Sequence, residues 1–449
     1  MSLFDTYKSV EEYLDSNKPE LFRLLDEHLD WDEIIPKTFY KAFYKRLGRK
    51  RGYELESFMR ALFLQRIFHY VEDIQLLNTL RYSYEMRTFC GFNKVPDASK
   101  ITRFKQEFCN HIRDVFENLV RLTEPICQEM DDALADMLIF DTTGVESYVA
   151  ENNPKRLGKQ WSPAATSNPQ VKLQYINGHM CYAQRAAVVT NGLGIVRHLE
   201  LLDEDFRQRH PELPREPRTN SPEVDKEIGD STALKPVLMD FRKAHPDLRY
   251  GTFSGDAAFD SYDNYSFLLG EYGFNKAAIP INPRNSANSG TNDFNENGTP
   301  LCPIDGTPFL FHSKCGGKNR SLRLKYVCPK TRAVQTEKGA TRRCFCQKPC
   351  SDSKYGKSTY IYPYNNLRLY PGLARDSDEF AKIYAKRSAV ERSINTLKDT
   401  LGVRGRKTSN TITTKADLFL AGIVQLICVI LAHNIHDLKV ARSPRKLIA

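Results

Sequence analysis

Met137-Leu-Ile-Phe-Asp141-Thr-Thr-Gly144 marks the point where this chain changes texture. Four apolar residues without alternation, closed by a carboxylate, predict a buried strand and not one half of a surface sheet. Downstream, the stretch 171–202 alternates and turns on Asn191-Gly192, a hairpin signal between residues 186–190 and 195–202. Residues 234–244 have helical spacing. Tyr250-Gly-Thr-Phe-Ser-Gly255-Asp256 is a second short strand ended by a carboxylate, and a helix near 262–270 and a strand at 277–281 follow. Residues 285–299, rich in Asn, Gly and Ser, predict a loop. A cysteine-bearing insertion, 302–350, comes next, and regular structure resumes near Asp376. This order predicts an α/β fold, a mixed sheet with helices packed on it. Asp141 and Asp256 would then stand at strand ends, where ligands gather in such sheets.

Upstream the chain reads as helical. Leu55, Phe58, Met59, Leu62, Phe63 and Ile67 repeat at helical spacing within 54–70, and a second period covers 74–80. Pro96-Asp97 opens a third helix, with Asp97 as N-cap and Ile101, Phe104 and Phe108 on one face. Behind the basic lead-in Lys41, Lys45, Arg46, Arg49, Lys50 and Arg51, these short helices fit a DNA reader of helix-turn-helix type or a packing bundle equally well.

At 449 residues, 41% hydrophobic and 27% charged, the chain has the composition of a soluble globular protein with two or three domains. Residues 1–17 are polar and acidic, with no signal pattern. The longest apolar run, 418–432, is broken by Gln425 and falls short of the ~20 residues of a membrane span, so it predicts a buried helix. The eleven cysteines, without secretory context, predict reduced thiols in the cytoplasm. The net charge of +10 is modest but concentrated: residues 381–410 hold eight basic side chains against Glu391 and Asp399. Such clusters attract polyanions, although many are inert surface.

That basic region contains Tyr384-Ala-Lys-Arg387-Ser-Ala-Val-Glu391-Arg-Ser-Ile-Asn-Thr-Leu-Lys398. At about 100° per residue, Arg387, Glu391 and Lys398 fall roughly 300°, 340° and 320° round from Tyr384, in one narrow stripe. Most charged stripes are solvated faces held by i,i+4 pairs such as Arg387 with Glu391. Here Ile383, Val390, Ile394, Leu397 and Leu401 cluster next to the stripe, which therefore borders the buried face, where charge is costly unless paired or used. A carboxylate flanked by a phenol and two cations suits a metal ion and a phosphate together.

Phosphodiester chemistry without a protein nucleophile is commonly run by two Mg²⁺ ions on a few carboxylates. Asp141, Asp256 and Glu391 can supply that set, each more than a hundred residues from the next. Both aspartates also sit in ordinary turn patterns, and Asp136, Glu146 and Asp260 stand nearby. Asp141 and Asp256 are preferred because each directly ends an apolar run.

The spacing Tyr384-(2)-Arg387-(3)-Glu391-(6)-Lys398 resembles, without departure, the signature of DDE transposases from bacterial insertion sequences. Phe-Asp141-Thr-Thr-Gly resembles the family's first aspartate motif. Gly255-Asp256-Ala-Ala-Phe-Asp260 resembles the second, with Phe259 in place of the commoner tyrosine. Residues 57–108 are similar to the amino-terminal domain of many such enzymes. The resemblance implies an RNase H-like core divided as 131–284 and 376–449, a helical DNA-binding domain at 1–130 and the insertion at 285–375. It implies that Asp141, Asp256 and Glu391 are catalytic and hold two Mg²⁺ (or Mn²⁺) ions, while Tyr384, Arg387, Arg392 and Lys398 contact DNA. The expected partners are double-stranded transposon ends and target DNA, with the protein a homodimer on DNA, cytoplasmic and nucleoid-associated in a bacterium, and no membrane. Glu391 is expected to point at Asp141 and Asp256 instead of pairing with Arg387.

Cys302, Cys315, Cys328, Cys344, Cys346 and Cys350, with His312, offer a structural Zn²⁺ site; Cys346-x₃-Cys350 has ligand spacing and Cys344-x-Cys346 is tighter than usual. The alternative is free thiols in a loosely held insertion, whose lysines and arginines (Lys314, Lys318, Arg320, Arg323, Lys325) would allow an accessory DNA contact. Two other functions compete with transposition. An RNase H-like nuclease would cut without joining a 3′-hydroxyl end to target DNA. A catalytically silent, transposase-derived DNA-binding protein would tend to have lost its acidic set, which is intact here.

Overall fold

The computed structural model describes residues 18–45, 50–156, 162–176, 178–214, 228–282, 294–295, 298–317, 320–337, 339–363 and 367–448. Residues 1–17, Arg46, Arg49, Lys318, the side chain of Arg320 and most of the 285–299 loop lie outside the described residues. The chain opens with helices, chief among them α1 (Glu20–His28), α2 (Leu55–Ile67), α3 (Asp73–Tyr82), α4 (Ala98–Glu107) and α5 (Cys109–Met130). Asp97 does occupy the N-cap position of α4, but its side chain makes no capping bond.

One sheet follows, built from β1 (Met137–Glu146), β2 (Ala164–Ala165), β3 (Asn168–Ile176), β4 (His179–Asn191), β5 (Val196–Leu201), β6 (Thr252–Ser254) and β7 (Lys276–Ala278). Its order is β2-β3-β4-β1-β6-β7, with β5 also on β4. β4 pairs antiparallel with β1 on one edge; on the other edge its first half takes β3 and its second half takes β5. Two strands sharing one edge in succession make the sheet curl. β6 and β7 add on parallel to β1. The result is a mixed α/β fold with a curled sheet and flanking helices. β1 was expected to stop at Asp141, yet it runs five residues further because β4 keeps pairing as far as Glu146. Only the parallel pairing to β6 ends near the aspartate.

Helices cover both faces, which is why Met137 to Phe140 are buried without alternation. α6 (Asp230–Ala244) lies on one side, its Phe241 ring 5.7 Å from His198 of β5. α7 (Asp378–Tyr384), α8 (Ser388–Asn395) and α9 (Thr411–Asn434) close the chain. α9 is longer than the sequence suggested. By length and composition it could cross a membrane, with a mean hydropathy of 2.1, but 89% of that window is buried inside the fold. A Cβ at Gly422 would lie 2.7 Å from both Leu199 of β5 and Phe116 of α5, so glycine lets helix, sheet and helix meet. Gln425, the break in the apolar run, accepts from Val196 N at 3.0 Å and donates to Ser393 Oγ of α8 at 3.3 Å.

The insertion forms its own small unit. β8 (Leu310–Gly317), β9 (Arg320–Val327) and β12 (Ser358–Ile361) make a sheet, and β10 (Thr331–Thr336) pairs with β11 (Gly339–Cys344). Its apolar centre includes Phe309, Leu324, Tyr326 and Ile361, with Cys302 and Cys328 among them.

The amino-terminal helices are tied to α9 by charge. Asp417 is fully buried and pairs with Arg66 of α2, with Lys105 of α4 at 3.2 Å and with Arg406 at 3.0 Å. Asp73 of α3 takes the same Lys105 at 3.1 Å and Arg406 at 2.6 Å. Burial alone would push the Asp417 carboxyl up, but Arg406, Arg66 and Lys105 together hold it well below the usual range. Asp417→Ala leaves the buried Arg66 without a carboxylate and Lys105 and Arg406 with Asp73 alone, and should cost about 3–5 kcal/mol in urea unfolding at pH 7. Because the folded carboxyl is held low, its contribution is complete above about pH 4 and fades as pH falls below that value. The variant and the parent should therefore converge in stability in acid; a constant gap down to pH 2 would contradict this assignment.

Candidate active site

Strand register brings the two aspartates together. Ile139 of β1 pairs with Ser254 of β6, and Asp141 and Asp256 each lie two residues beyond that pair. Neighbouring parallel strands therefore deliver both carboxylates to one edge. Asp256 then caps the 3₁₀ turn Ala257–Phe259, accepting from Ala258 N at 2.9 Å. Asp141 accepts from Thr142 N at 2.8 Å.

The stretch 384–398 is not one regular helix. α7 ends at Tyr384, residues Ala385–Arg387 tighten into a 3₁₀ turn, α8 follows, and Thr396–Thr400 open into a π turn. Uniform steps of about 100° do not hold through such turns. What the arrangement achieves is a convergence on Arg387. Its Nη2 lies 3.8 Å from Asp141 Oδ2 and 3.8 Å from Asp256 Oδ2, while Nη1 bonds Glu391. The two aspartate oxygens are thus no further apart than twice that distance. The carboxylates grade outward, with side chains 22%, 37% and 52% exposed for Asp141, Asp256 and Glu391.

Glu391 was expected not to pair with Arg387, and that expectation fails. The i,i+4 spacing puts the two in reach, and three carboxylates this close need a counter-charge. Glu391 nevertheless reaches the aspartates through the shared guanidinium. Burial opposes the charge on Arg387, but Glu391, Asp141 and Asp256 more than restore it. Asp141 is pushed up to about 6, first by burial and then by Asp256 and Asp230, against the pull of the Thr142 amide and Arg387. Tyr384, stacked on Phe380 at 5.7 Å, is raised by burial and by Asp256 and Glu391, with Arg387 opposing.

Lys398 leaves the stripe. It is buried, and its Nζ donates to Gly144 O at 2.9 Å and to Thr143 Oγ1 at 3.1 Å, on the strand just past Asp141. Arg392 is exposed and donates to Ser388 Oγ at 2.7 Å. Of the rival carboxylates, Asp260 is fully buried and bound by Tyr265, Arg368 and Asn282 N, and Asp136 accepts from Gly251 N at 2.7 Å at the other end of β1. Glu146 sits five residues along β1, beside His179 and Cys181. None of these three pairs with Arg387.

Sequence reasoning missed Asp230. It bonds Thr142 and Arg185 of β4 and adds a fourth carboxylate to the field at Asp141. The available signal was Gly229-Asp230-Ser231, a helix start one turn before the predicted 234.

Residues 9–107 match the model of a family described as a transposase domain (DUF772). No curated protein matches this chain. Among solved structures it is similar to a piggyBac transposase, seen by cryo-EM in a synaptic complex with hairpin DNA. The two are 13% identical, with a TM-score of 0.37, 97% of this chain and 80% of that one covered. A likeness that low carries no inference about this chain.

Two outcomes follow from the geometry. Asp141→Asn removes a carboxylate whose ionisation costs the fold free energy. It should raise stability by about 1–3 kcal/mol above pH 6, and the gain should fade as pH falls from about 6 through about 4, below which the parent carboxyl is protonated in both states. Lys398→Met leaves Gly144 O and Thr143 without their buried donor and should cost about 1–3 kcal/mol in denaturant unfolding. A neutral result would place Lys398 in solvent.

Proposed function

We propose that this chain is a metal-dependent DDE transposase that cleaves transposon DNA ends and joins the freed 3′-hydroxyl to target DNA. The observation that carries the reading is the meeting of Asp141, Asp256 and Glu391 on one guanidinium, from two parallel strands and a carboxyl-terminal helix. The amino-terminal match to a transposase domain supports it independently. Within the seven-stranded sheet, the order β5-β4-β1-β6-β7, with β4 antiparallel to both β5 and β1 and with β6 and β7 parallel to β1, supports an RNase H-like core.

The donor set fits the implied metal. Hard carboxylate oxygens crowd together, and burial, with the neighbouring Asp256 and Asp230 carboxylates, pushes the Asp141 carboxyl up to about 6. Asp141, Asp256 and Glu391 would hold two Mg²⁺ (or Mn²⁺) ions, which supply activation of the attacking oxygen and stabilisation of the leaving one. The chain's own residues orient and neutralise. Thr142 N fixes one oxygen of Asp141, and Ala258 N fixes one of Asp256. Arg387 can grip a phosphate bidentately, and Tyr384 and Arg392 flank it as DNA contacts. Lys398 acts through β1 as a positioning residue, in place of the direct DNA contact that the resemblance implied. Water attacks first and the 3′-hydroxyl second, with no covalent enzyme intermediate. The helices of 1–130 are proposed to bind DNA, the working form to be a homodimer on paired ends, and the setting to be the bacterial cytoplasm.

The test uses DNA carrying the sequences that flank the coding region. Asp141→Ala, Asp256→Ala and Glu391→Ala should each reduce strand cleavage by at least about 10²–10³-fold while DNA binding by gel shift stays within a few-fold. Retained cleavage in the Glu391 variant would sink the assignment. Cleavage with no joined 3′ ends would favour a nuclease over a transposase.

A further inference from the structure

The fold sorts the insertion's cysteines. Cys302 opens a tight turn, its carbonyl accepting from Gly306 N at 2.8 Å, with Gly306 at φ +69°. Cys328 opens a second, its carbonyl accepting from Thr331 N at 3.3 Å and Thr331 Oγ1 at 2.8 Å. An ion pair between Asp305 and Lys330 sets the two turns side by side. The β10–β11 hairpin pairs Thr331 with Cys344, and Phe345 N donates to Lys330 O at 3.3 Å, so Cys344 and Cys346 arrive at the same place. Cys350 follows four residues on, and with Cys346 it packs against the small apolar cluster that contains Cys302 and Cys328. All are free thiols.

The set divides further. Cys302 and Cys328 belong to the small apolar centre and Cys346 and Cys350 pack against it, whereas Cys344 is not part of that cluster. Cys315 is elsewhere, paired with Arg323 in the β8–β9 ladder and 3.5 Å from Ser313 Oγ, and His312 is exposed and bonded to the same serine. We propose that Cys302, Cys328, Cys346 and Cys350 bind one structural Zn²⁺, which locks the two turns and the hairpin end into a single unit.

Soft thiolates on separate turns around a small apolar centre are what a tetrahedral structural zinc site requires. The need is physical as well. A centre this small, holding long irregular connections, gains little from apolar burial alone, and a metal cross-link supplies the deficit. Binding converts four thiols to thiolates and releases their protons to solvent, so affinity falls as pH drops. Four thiolates and Zn²⁺ carry a net charge of −2.

The full chain, expressed with zinc supplied and dialysed exhaustively without chelator, should retain about one zinc per chain by mass spectrometry. Cys315→Ser and Cys344→Ser should keep it; Cys328→Ser and Cys350→Ser should lose most of it. If those two variants fail to fold, Co²⁺ titration of the unmodified chain decides: thiolate-to-cobalt charge-transfer bands and tetrahedral d–d absorption should saturate at about one equivalent. A wild-type chain with neither zinc nor those bands overturns the proposal, as does loss of metal in Cys315→Ser with retention in Cys328→Ser. No DNA enters these readouts, so the result is independent of the proposed transposition.

Discussion

A single buried carboxylate, Asp417, holds the two ends of this chain together. It collects Arg66, Lys105 and Arg406, and through them Asp73, inside a core that water does not reach. Buried ion pairs add little net stability compared with apolar packing, but each member becomes indispensable once the others are in place. The consequence runs outward along α9. The same helix uses Gly422 to meet β5 and α5, and Gln425 to hold both the β4–β5 corner and α8. α8 carries Glu391. The position of the third carboxylate of the candidate site thus depends on a charge network formed with the amino-terminal helices.

The same accounting changes the meaning of the basic clusters. Much of what looks in the sequence like a DNA-binding surface is spent internally. Arg51 lies on the rings of Phe43 and Phe108 at 4.5 and 4.9 Å and pairs with Glu107. Arg406 serves Asp73 and Asp417 and Lys398 serves β1, both buried, while Lys407 and Arg404 pair with Glu72 and Asp399 at the surface and stay exposed. Lys382, Lys386 and Arg392 remain exposed around the acidic site. A net charge counts residues; it does not say which of them face solvent.

The two proposed metal sites differ in chemistry and in how the fold builds them. The acidic set gathers hard oxygen donors at a sheet edge, graded from part-buried Asp141 to half-exposed Glu391. The thiol set gathers soft donors around a small apolar centre, with Cys302 and Cys328 buried and Cys346 and Cys350 part-buried against it. Donors of these two kinds suit Mg²⁺ and Zn²⁺ respectively.

Local pattern determined a good deal. The apolar run at Met137–Phe140, the Asn191-Gly192 hairpin, the helical periods of 54–70 and 74–80 and the buried carboxyl-terminal helix all follow from side-chain spacing, which the backbone obeys wherever one face is buried. Asp141, Asp256 and Glu391 could be named because each closes or borders an apolar run. Their meeting could not be read, since it depends on a parallel register between strands more than a hundred residues apart. Nor could the role of Arg387 as their shared cation, the retreat of Lys398 onto β1 through a π turn, or Asp230, whose helix starts a turn early. These were decided by tertiary packing, because charges at the margin of a core settle on whichever partner the fold brings within reach, and sequence spacing reports only the partners on the same helix.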